Sequence, residues 1–439
     1  MGQNFIGCDR EQELLLPPSL RDWLPEDHLA WFVLDAVAEL DLGAFFGAYR
    51  RDGWGRAAHD PAMMVALLLY VYAVGERSSR QIERRCHEDV AVRVIAANQA
   101  PDHATIARFR VRHQDALADL FGGVLGLCAR AGLVSVGVVA LDGTKVHANA
   151  SGQANRSYRQ IAEEMLAEAD AVDAAEDAEH GDRRGDELPP ELAEATSRRA
   201  RLARAKRQLE QECEVEQAER VAMLARRAEH VARTGRRPVG RPPTLGPDPG
   251  PRGRVNLTDP DSRSVKTPRG FIQGFNAQAV CTEQQVVIAA ELRIGSPDGG
   301  LLEPMIAAAR AELAGAGIDE PPATVLADAG YWSAPQITEL TDQGIDVLVP
   351  PDGHRRAQPL AGKRGGLYQH MRDKLASDDG RGLYRRRQHM IEPVFAQTKV
   401  TRRADRFQRR GLAACHAEWR LICATHNLLK LWRAAPAAS

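Results

Sequence analysis

Three short segments each set an acid against an apolar stretch that belongs in a core. They are Leu141-Asp142-Gly143-Thr144-Lys145, Leu326-Ala327-Asp328-Ala329-Gly330-Tyr331-Trp332, and Tyr384-Arg385-Arg386-Arg387 leading to Glu392-Pro393-Val394-Phe395 and Lys399. A buried carboxylate is costly unless compensated, and a bound cation is the usual compensation. Three carboxylates from distant parts of the chain, each expected at the end of a buried element, predict one shared metal site made of Asp142, Asp328 and Glu392. Any fold of this chain must bring those elements together.

The elements around them can be read from pattern. Residues 1–135 read as helical: apolar residues recur at helical spacing from Glu26 to Leu40, and Asp60-Pro61 is a cap followed by proline at the first helical position, opening Ala62 to Val74. A basic helix is expected from Ser78 to Glu88. Another, His103 to His113, carries Arg108, Arg110 and Arg112, and allows a helix-turn-helix-like reading beside that of a plain bundle. Val136 to Leu141 is a short apolar β-rich run ending at Asp142, as in a buried strand. Val255 to Leu292 reads as two or three antiparallel strands. Leu301 to Leu313 follows as a helix, Thr324 to Ala327 as a strand ending at Asp328, Pro335 to Gln343 as a helix and Asp346 to Val349 as a strand. Strands first and then helix–strand alternation imply an α/β fold, a mixed sheet flanked by helices.

Residues 152–253 interrupt this order. Tyr158 to about Ala232 is rich in Ala, Glu and Arg, and Val221, Leu224, Ala228 and Val231 form a heptad fragment. Gly181 to Pro190 breaks the segment, so a helical hairpin inserted after the first strand is expected, with Gly235 to Gly253 as an Arg-, Pro- and Gly-rich linker.

Net charge is −1, but charge is unevenly placed: Arg381 to Arg410 holds ten Lys or Arg residues against Glu392 and Asp405. A local basic band is the footprint of phosphate contact, because phosphate neutralisation is local. Glu392 and Lys399 are seven residues apart, two helical turns, so both fall on nearly one face. Pro393 fits a first helical turn, which would set Glu392 at a helix start where the dipole favours its ionised form. No apolar run reaches the roughly 18–20 residues of a membrane span. The N-terminus lacks the order of a signal peptide, and seven scattered cysteines without Cys-x-x-Cys fit a reducing compartment, so a cytoplasmic location is expected. Cys415, His416, Cys423 and His426 do not follow a standard zinc spacing; Cys415, Trp419, Ile422 and His426 share a helical stripe and read as packing. Tyr331 and Trp332 could stack on a base or fill a core.

Taken in order, these segments resemble the DDE transposases of bacterial insertion sequences. The resemblance covers nearly the whole chain: the helical region from Leu16-Pro17 onward, Asp142-Gly143-Thr144-Lys145-Val146-His147-Ala148-Asn149-Ala150, Ala327-Asp328-Ala329-Gly330-Tyr331, Glu392-Pro393-Val394-Phe395 with Lys399, and Glu418-Trp419-Arg420-Leu421-Ile422-Cys423-Ala424-Thr425-His426-Asn427-Leu428-Leu429-Lys430-Leu431. It implies a ribonuclease-H-like catalytic domain over 136–151 and 254–435, a helical N-terminal domain over 1–135 with a DNA-binding role, and the helical-hairpin insertion and linker over 152–253. Asp142, Asp328 and Glu392 match the three catalytic, metal-binding acids; Lys399, Tyr384 and Arg387 match the accompanying Lys, Tyr and Arg. Four residues separate Arg387 from Glu392 where the strict pattern has three, so Arg386 and Gln388 compete with Arg387 for the phosphate-facing position. Arg402, Arg403, Arg409 and Arg410 are expected DNA contacts in the basic band.

Oxygen-only carboxylate sites select hard cations, here two Mg²⁺ or Mn²⁺ ions, and no small-molecule cofactor is expected. Such a pair supports in-line displacement at phosphorus with water or a freed 3′-OH as nucleophile. The resemblance therefore implies a transposase that cuts and joins the ends of its insertion element, with terminal inverted repeats and target DNA as partners and a homodimer on DNA, since two ends must be synapsed. Two alternatives share much of this pattern: a nuclease that does not join strands, and a transposase-derived DNA-binding regulator.

Overall fold

The computed structural model describes residues 19–49, 57–168, 198–238, 242–243, 253–352 and 365–435. Among the described residues, seven α-helices precede the sheet: α1 (Leu29–Ala38), α2 (Gly43–Gly47), α3 (Pro61–Ala73), α4 (Ser79–Glu88), α5 (Val90–Ile95), α6 (His103–Arg112) and α7 (Gln114–Arg130). Their starts follow local chemistry. Asp60 Oδ1 accepts from Met63 N at 2.9 Å with Pro61 in the first turn, and Asp102 Oδ1 accepts from Thr105 N at 2.6 Å. At α4 the Ser78 side chain makes no cap; Glu76 Oε1 instead accepts from the backbone N–H of Arg77 and Ser78, both at 2.8 Å. Every residue of α3 from Met64 to Ala73 is buried, as befits a helix apolar all round. Arg108 and Arg112 on α6 are exposed whereas Arg110 is buried, because two residues turn a helix by about 200°. The arginines of α6 therefore do not share one face.

Six strands form the main sheet: β1 (Val138–His147), β4 (Arg263–Thr267), β5 (Gly270–Thr282), β6 (Val287–Arg293), β7 (Thr324–Leu326) and β8 (Asp346–Leu348); β2 (Asn155–Ser157) and β3 (Arg254–Asn256) pair separately. Along the sheet the order is β4-β5-β1-β7-β8, with β6 also paired to β5. β1, β7 and β8 are parallel, and β5 runs antiparallel to β1, β4 and β6. β1 does not end at Asp142. It continues to His147, because β5 offers main-chain partners as far as Gly274, which faces His147. A Cβ at Gly274 would collide with the Val146 carbonyl, so this close approach needs glycine.

Helices α8 (158–168) and α9 (Arg198–Thr234) are the described arms of the insertion. Ile161, Leu202, Ala205, Leu209 and Val255 form a small core between them and β3. Farther along α9, Val221 and Val231 of the heptad fragment are exposed. The expected break at Gly181–Pro190 lies outside the described residues. So does most of the Gly235–Gly253 linker.

Helices α10 (Leu302–Gly315) and α11 (Ala334–Asp342) cover one sheet face with α7. On the other side lie α13 (Asp378–Ala396), which follows α12 (Gly366–Ala376), and the long α14 (Leu412–Ala434). α14 packs on α7, α3 and β6, so one apolar core joins the N-terminal helices to the sheet. Asn427 fastens α14 to β6 by bonding both N–H and C=O of Val287, at 2.8 and 2.7 Å. Cys415, Cys423 and His426 are buried along α14, and His416 reaches Glu291 at 3.4 Å. Among the described residues no helix is long and apolar enough to cross a membrane.

Candidate active site

Parallel pairing of β1 with β7 aligns Ala140 with Leu326. Carried two residues further, the same register brings Asp142 level with Asp328 on the same sheet face, on chains about 4.8 Å apart. Each carboxylate is oriented by its own backbone: Asp142 Oδ1 accepts from Gly143 N, and Asp328 Oδ1 from Gly330 N, both at 2.8 Å. Asp142 Oδ2 accepts from Arg387 Nη1 at 2.8 Å, with only 20% of the Asp142 side chain exposed. Burial pushes the Asp142 carboxyl above its ordinary range; the Arg387 guanidinium pulls it back, and the charge of Asp328 raises it further.

The third segment lies on α13, but not as its pattern suggested. The helix begins at Asp378, capped by Ser377, and runs through Pro393. Glu392 is therefore near the C-terminal end, where the dipole does not favour a carboxylate. Proline is tolerated there because the carbonyl it leaves free, that of His389, accepts from Gln285 Nε2 at 2.9 Å. A π-turn, Gln397–Thr401, then carries Lys399 to β1, where Nζ donates to Thr144 Oγ1 at 3.1 Å and Lys145 O at 2.8 Å. Tyr384 OH donates to Ala327 O at 3.3 Å, beside Asp328. Tyr384 and Arg387 thus converge on the aspartate pair, while Lys399 is held farther along β1, at Thr144 and Lys145. Glu392 is exposed, and among the described residues no three His, Cys, Asp or Glu side chains stand together as a metal-holding group.

Sequence reading missed what lies behind the pair. On the opposite face of β1, Asp298 accepts from Asn276 Nδ2 at 2.7 Å and Gln278 Nε2 at 2.9 Å, with Lys145 Nζ at 3.5 Å. This cluster packs against Gly143, where a Cβ would fall 2.9 Å from both Asn276 Oδ1 and Asp298 Oδ1. Asp142 is followed by glycine for that reason. Tyr331 is fully buried with its OH on Gln278 Oε1, which makes it a core residue rather than a stacking platform. No local motif announces Asp298; only the strand pairing does.

The basic band divides. Arg403 and Arg410 are exposed, and Arg386 is half exposed and paired with Glu283. Arg409 is half-buried and donates to Gln114 Oε1 at 2.8 Å. Arg402 does not fit the expected DNA contact. It is buried, with its guanidinium bonded to Thr398 Oγ1, Ile422 O and Thr425 Oγ1, and burial lowers it to about 10. Three protein oxygens already hold a side chain that water and phosphate cannot readily reach.

Two family models match the chain. One, described as Transposase domain (DUF772), covers residues 18–112 and so spans α1 to α6. The other, Transposase DDE domain, covers residues 354–432 and includes Tyr384, Arg387, Glu392 and Lys399. Asp142 and Asp328 lie between the two matched stretches. The chain matches no curated protein and no solved structure. With two transposase models matched in order, and a polar site formed where the second meets the intervening sheet, the chain belongs to the DDE transposases of the insertion-sequence type.

Proposed function

We propose that this transposase cuts and joins DNA at the ends of an insertion sequence, by metal-dependent phosphoryl transfer at the Asp142–Asp328 pair. The observation that carries this reading is the pairing itself: two acids from separate segments, each two residues past the paired Ala140 and Leu326 and close enough for the charge of one to act on the other, with Arg387 brought to Asp142 from a third segment. The order of the core strands supports a ribonuclease-H-like fold. With β4, which pairs with the start of β5, set aside, β6-β5-β1-β7-β8 reads 3-2-1-4-5 in chain order, with only the second antiparallel to its neighbours.

The donor set suits a hard cation. It consists of carboxylate oxygens, and one or two carboxylates with substrate phosphates are a usual complement for Mg²⁺. Asp142 and Asp328 would hold the ion or ions. Glu392 is assigned as the third acid from its match to the family pattern alone; its side chain is exposed and forms no group with the two aspartates among the described residues. When bound, such ions activate an attacking oxygen and neutralise charge on the leaving 3′ oxygen. The protein's own groups do the rest. Gly143 N and Gly330 N fix the aspartate rotamers. Arg387, held by its Nη1 bond to Asp142, keeps a positive charge beside the pair. Lys399, bonded from the π-turn to Thr144 and Lys145 of β1, places a second positive charge along the strand path.

Incubating the protein with Mg²⁺ and a labelled duplex that carries the terminal inverted repeat and flanking DNA tests this reading. Nicking at the repeat boundary followed by joining to a second duplex is expected. Nicking without joining would indicate a nuclease, and binding without either would indicate a regulator.

A further inference from the structure

Past the aspartate pair, at the far end of β1, lies a groove of about 710 Å³ that the chemistry above does not use. Its floor begins at His147. One wall is the β4–β5 hairpin, which presents Phe271 with 71% of its surface exposed. The opposite wall is a loop carrying Arg406 and Arg410, both exposed.

Both walls are fixed. The loop runs along β1 through His147 N to Asp405 O at 2.9 Å and Phe407 N to His147 O at 2.8 Å. From behind, Arg77 donates to the carbonyls of Arg403 and Arg406, each at 2.7 Å, and pairs with Glu418 at 3.0 Å. Glu418 in turn accepts from Gln408 N and Arg409 N. The hairpin is set by its close approach at Gly274. The chemistry of the groove is specific: a large aromatic ring stands in water, its cross-strand neighbour is the exposed Lys266, and the next cation along the turn is the exposed Arg269. Among the described residues no carboxylate lines the groove; of the two acids next to its lining residues, Asp259 is buried and Asp405 has its side chain exposed.

Cations that can hold a phosphate backbone beside a ring that can stack on a base are the two components of a single-strand binding surface. His147 stands five residues beyond Asp142, about 16 Å along the strand at ~3.3 Å per residue. That is roughly five nucleotide steps of duplex rise.

We propose that this groove is a DNA subsite: Arg406 and Arg410 take backbone phosphates, and Phe271, three residues along β5 from the Gly274 that faces His147, stacks on an unpaired base roughly five to eight nucleotides from the bond that is cut. The proposal rests on the transposase reading and adds a surface to it.

Binding of the full-length protein to two fluorescent probes tests it: a mixed-sequence duplex ending in a short single-stranded tail, and the blunt duplex. Phe271→Ala should weaken binding of the tailed probe roughly tenfold. It should leave the blunt probe and the salt dependence unchanged. Phe271→Trp should restore tailed-probe affinity. Arg406→Gln with Arg410→Gln should weaken both probes and flatten the log–log salt slope by about two. These side chains are exposed, and a matching thermal midpoint verifies that each variant is folded. Unchanged affinity of both probes in all variants, with the wild type binding DNA, would overturn the subsite, leave the transposase reading intact and point to a protein partner for the groove. Equal weakening of both probes by Phe271→Ala would overturn the stacking role. A wild type that binds neither probe would remove the transposase reading and the subsite together.

Discussion

Gln285 Nε2 donates to the carbonyl of His389 across 2.9 Å, at the one place in α13 where Pro393 withholds a backbone N–H. Gln285 is itself held in a left-handed conformation at φ 64°, with its carbonyl on His426 Nε2 at 2.9 Å and its Oε1 on Lys430 Nζ at 2.6 Å. The β5–β6 turn thus links α14 to α13 one turn from Glu392. Gln285→Ala should cost about 1 kcal/mol of stability by leaving that carbonyl without a protein donor. Pro393→Ala returns the missing N–H, so Gln285→Ala should cost much less in that background. Urea unfolding of the four proteins measures the coupling, and an equal cost in both backgrounds would refute the link.

His426 supplies a pH dependence. Burial, helped by the nearby charge of Arg402, lowers its pKa from 6.5 to about 3. Between those values the unfolded chain binds a proton that the folded chain does not. Its contribution to stability is therefore complete above pH 6.5 and falls as the pH drops towards 3. From pH 6.5 to pH 5 the loss from this one group should be about 2 kcal/mol. His426→Gln, which keeps a donor for Gln285 O, should show a shallower decline in denaturation midpoints over the same range.

Arg77 and Glu418 form a buried pair, with side chains 6% and 0% exposed. Removing one partner strands the other charge, so Glu418→Ala should cost about 3–5 kcal/mol. It should also free the loop from Arg403 to Arg409, which hydrogen exchange at Gln408 N and Arg409 N would register as lost protection.

Arg402 and Arg403 are neighbours in sequence and should behave differently. Arg402→Leu should lower the unfolding midpoint, because Thr398 and Thr425 lose a buried donor, and should leave the salt slope of DNA binding as it was. Arg403→Gln should do the reverse, flattening the slope by about one unit. Identical effects of the two variants on DNA binding would show that the basic band acts as one surface.

Much of this architecture can be read from the chain. Asp60-Pro61 marks a helix start, and the apolar run before Asp328 marks β7. Asp142 and Asp328 were visible as acids next to apolar strands, and register then made them neighbours. What sequence concealed depends on partners remote in the chain. β1 extends past Asp142 through Gly143, Thr144 and Lys145 because β5 pairs with them. Pro393 looks like a helix start until Gln285 is found to serve the freed carbonyl. Arg402 looks like a surface charge until α14 surrounds it, and Asp298 carries no signal until strand pairing brings Asn276 and Gln278 to it.

The central claim is that the Asp142–Asp328 pair is the chemical centre. Asn at position 142 keeps the shape of the side chain and removes the charge that a divalent cation requires. Strand cleavage and gel-shift affinity should be measured for Asp142→Asn and wild type on the same labelled element-end duplex in Mg²⁺. Cleavage should fall by at least about a thousandfold, or roughly 4 kcal/mol of barrier, while affinity for the duplex changes little. Near-normal cleavage by Asp142→Asn would contradict the assignment.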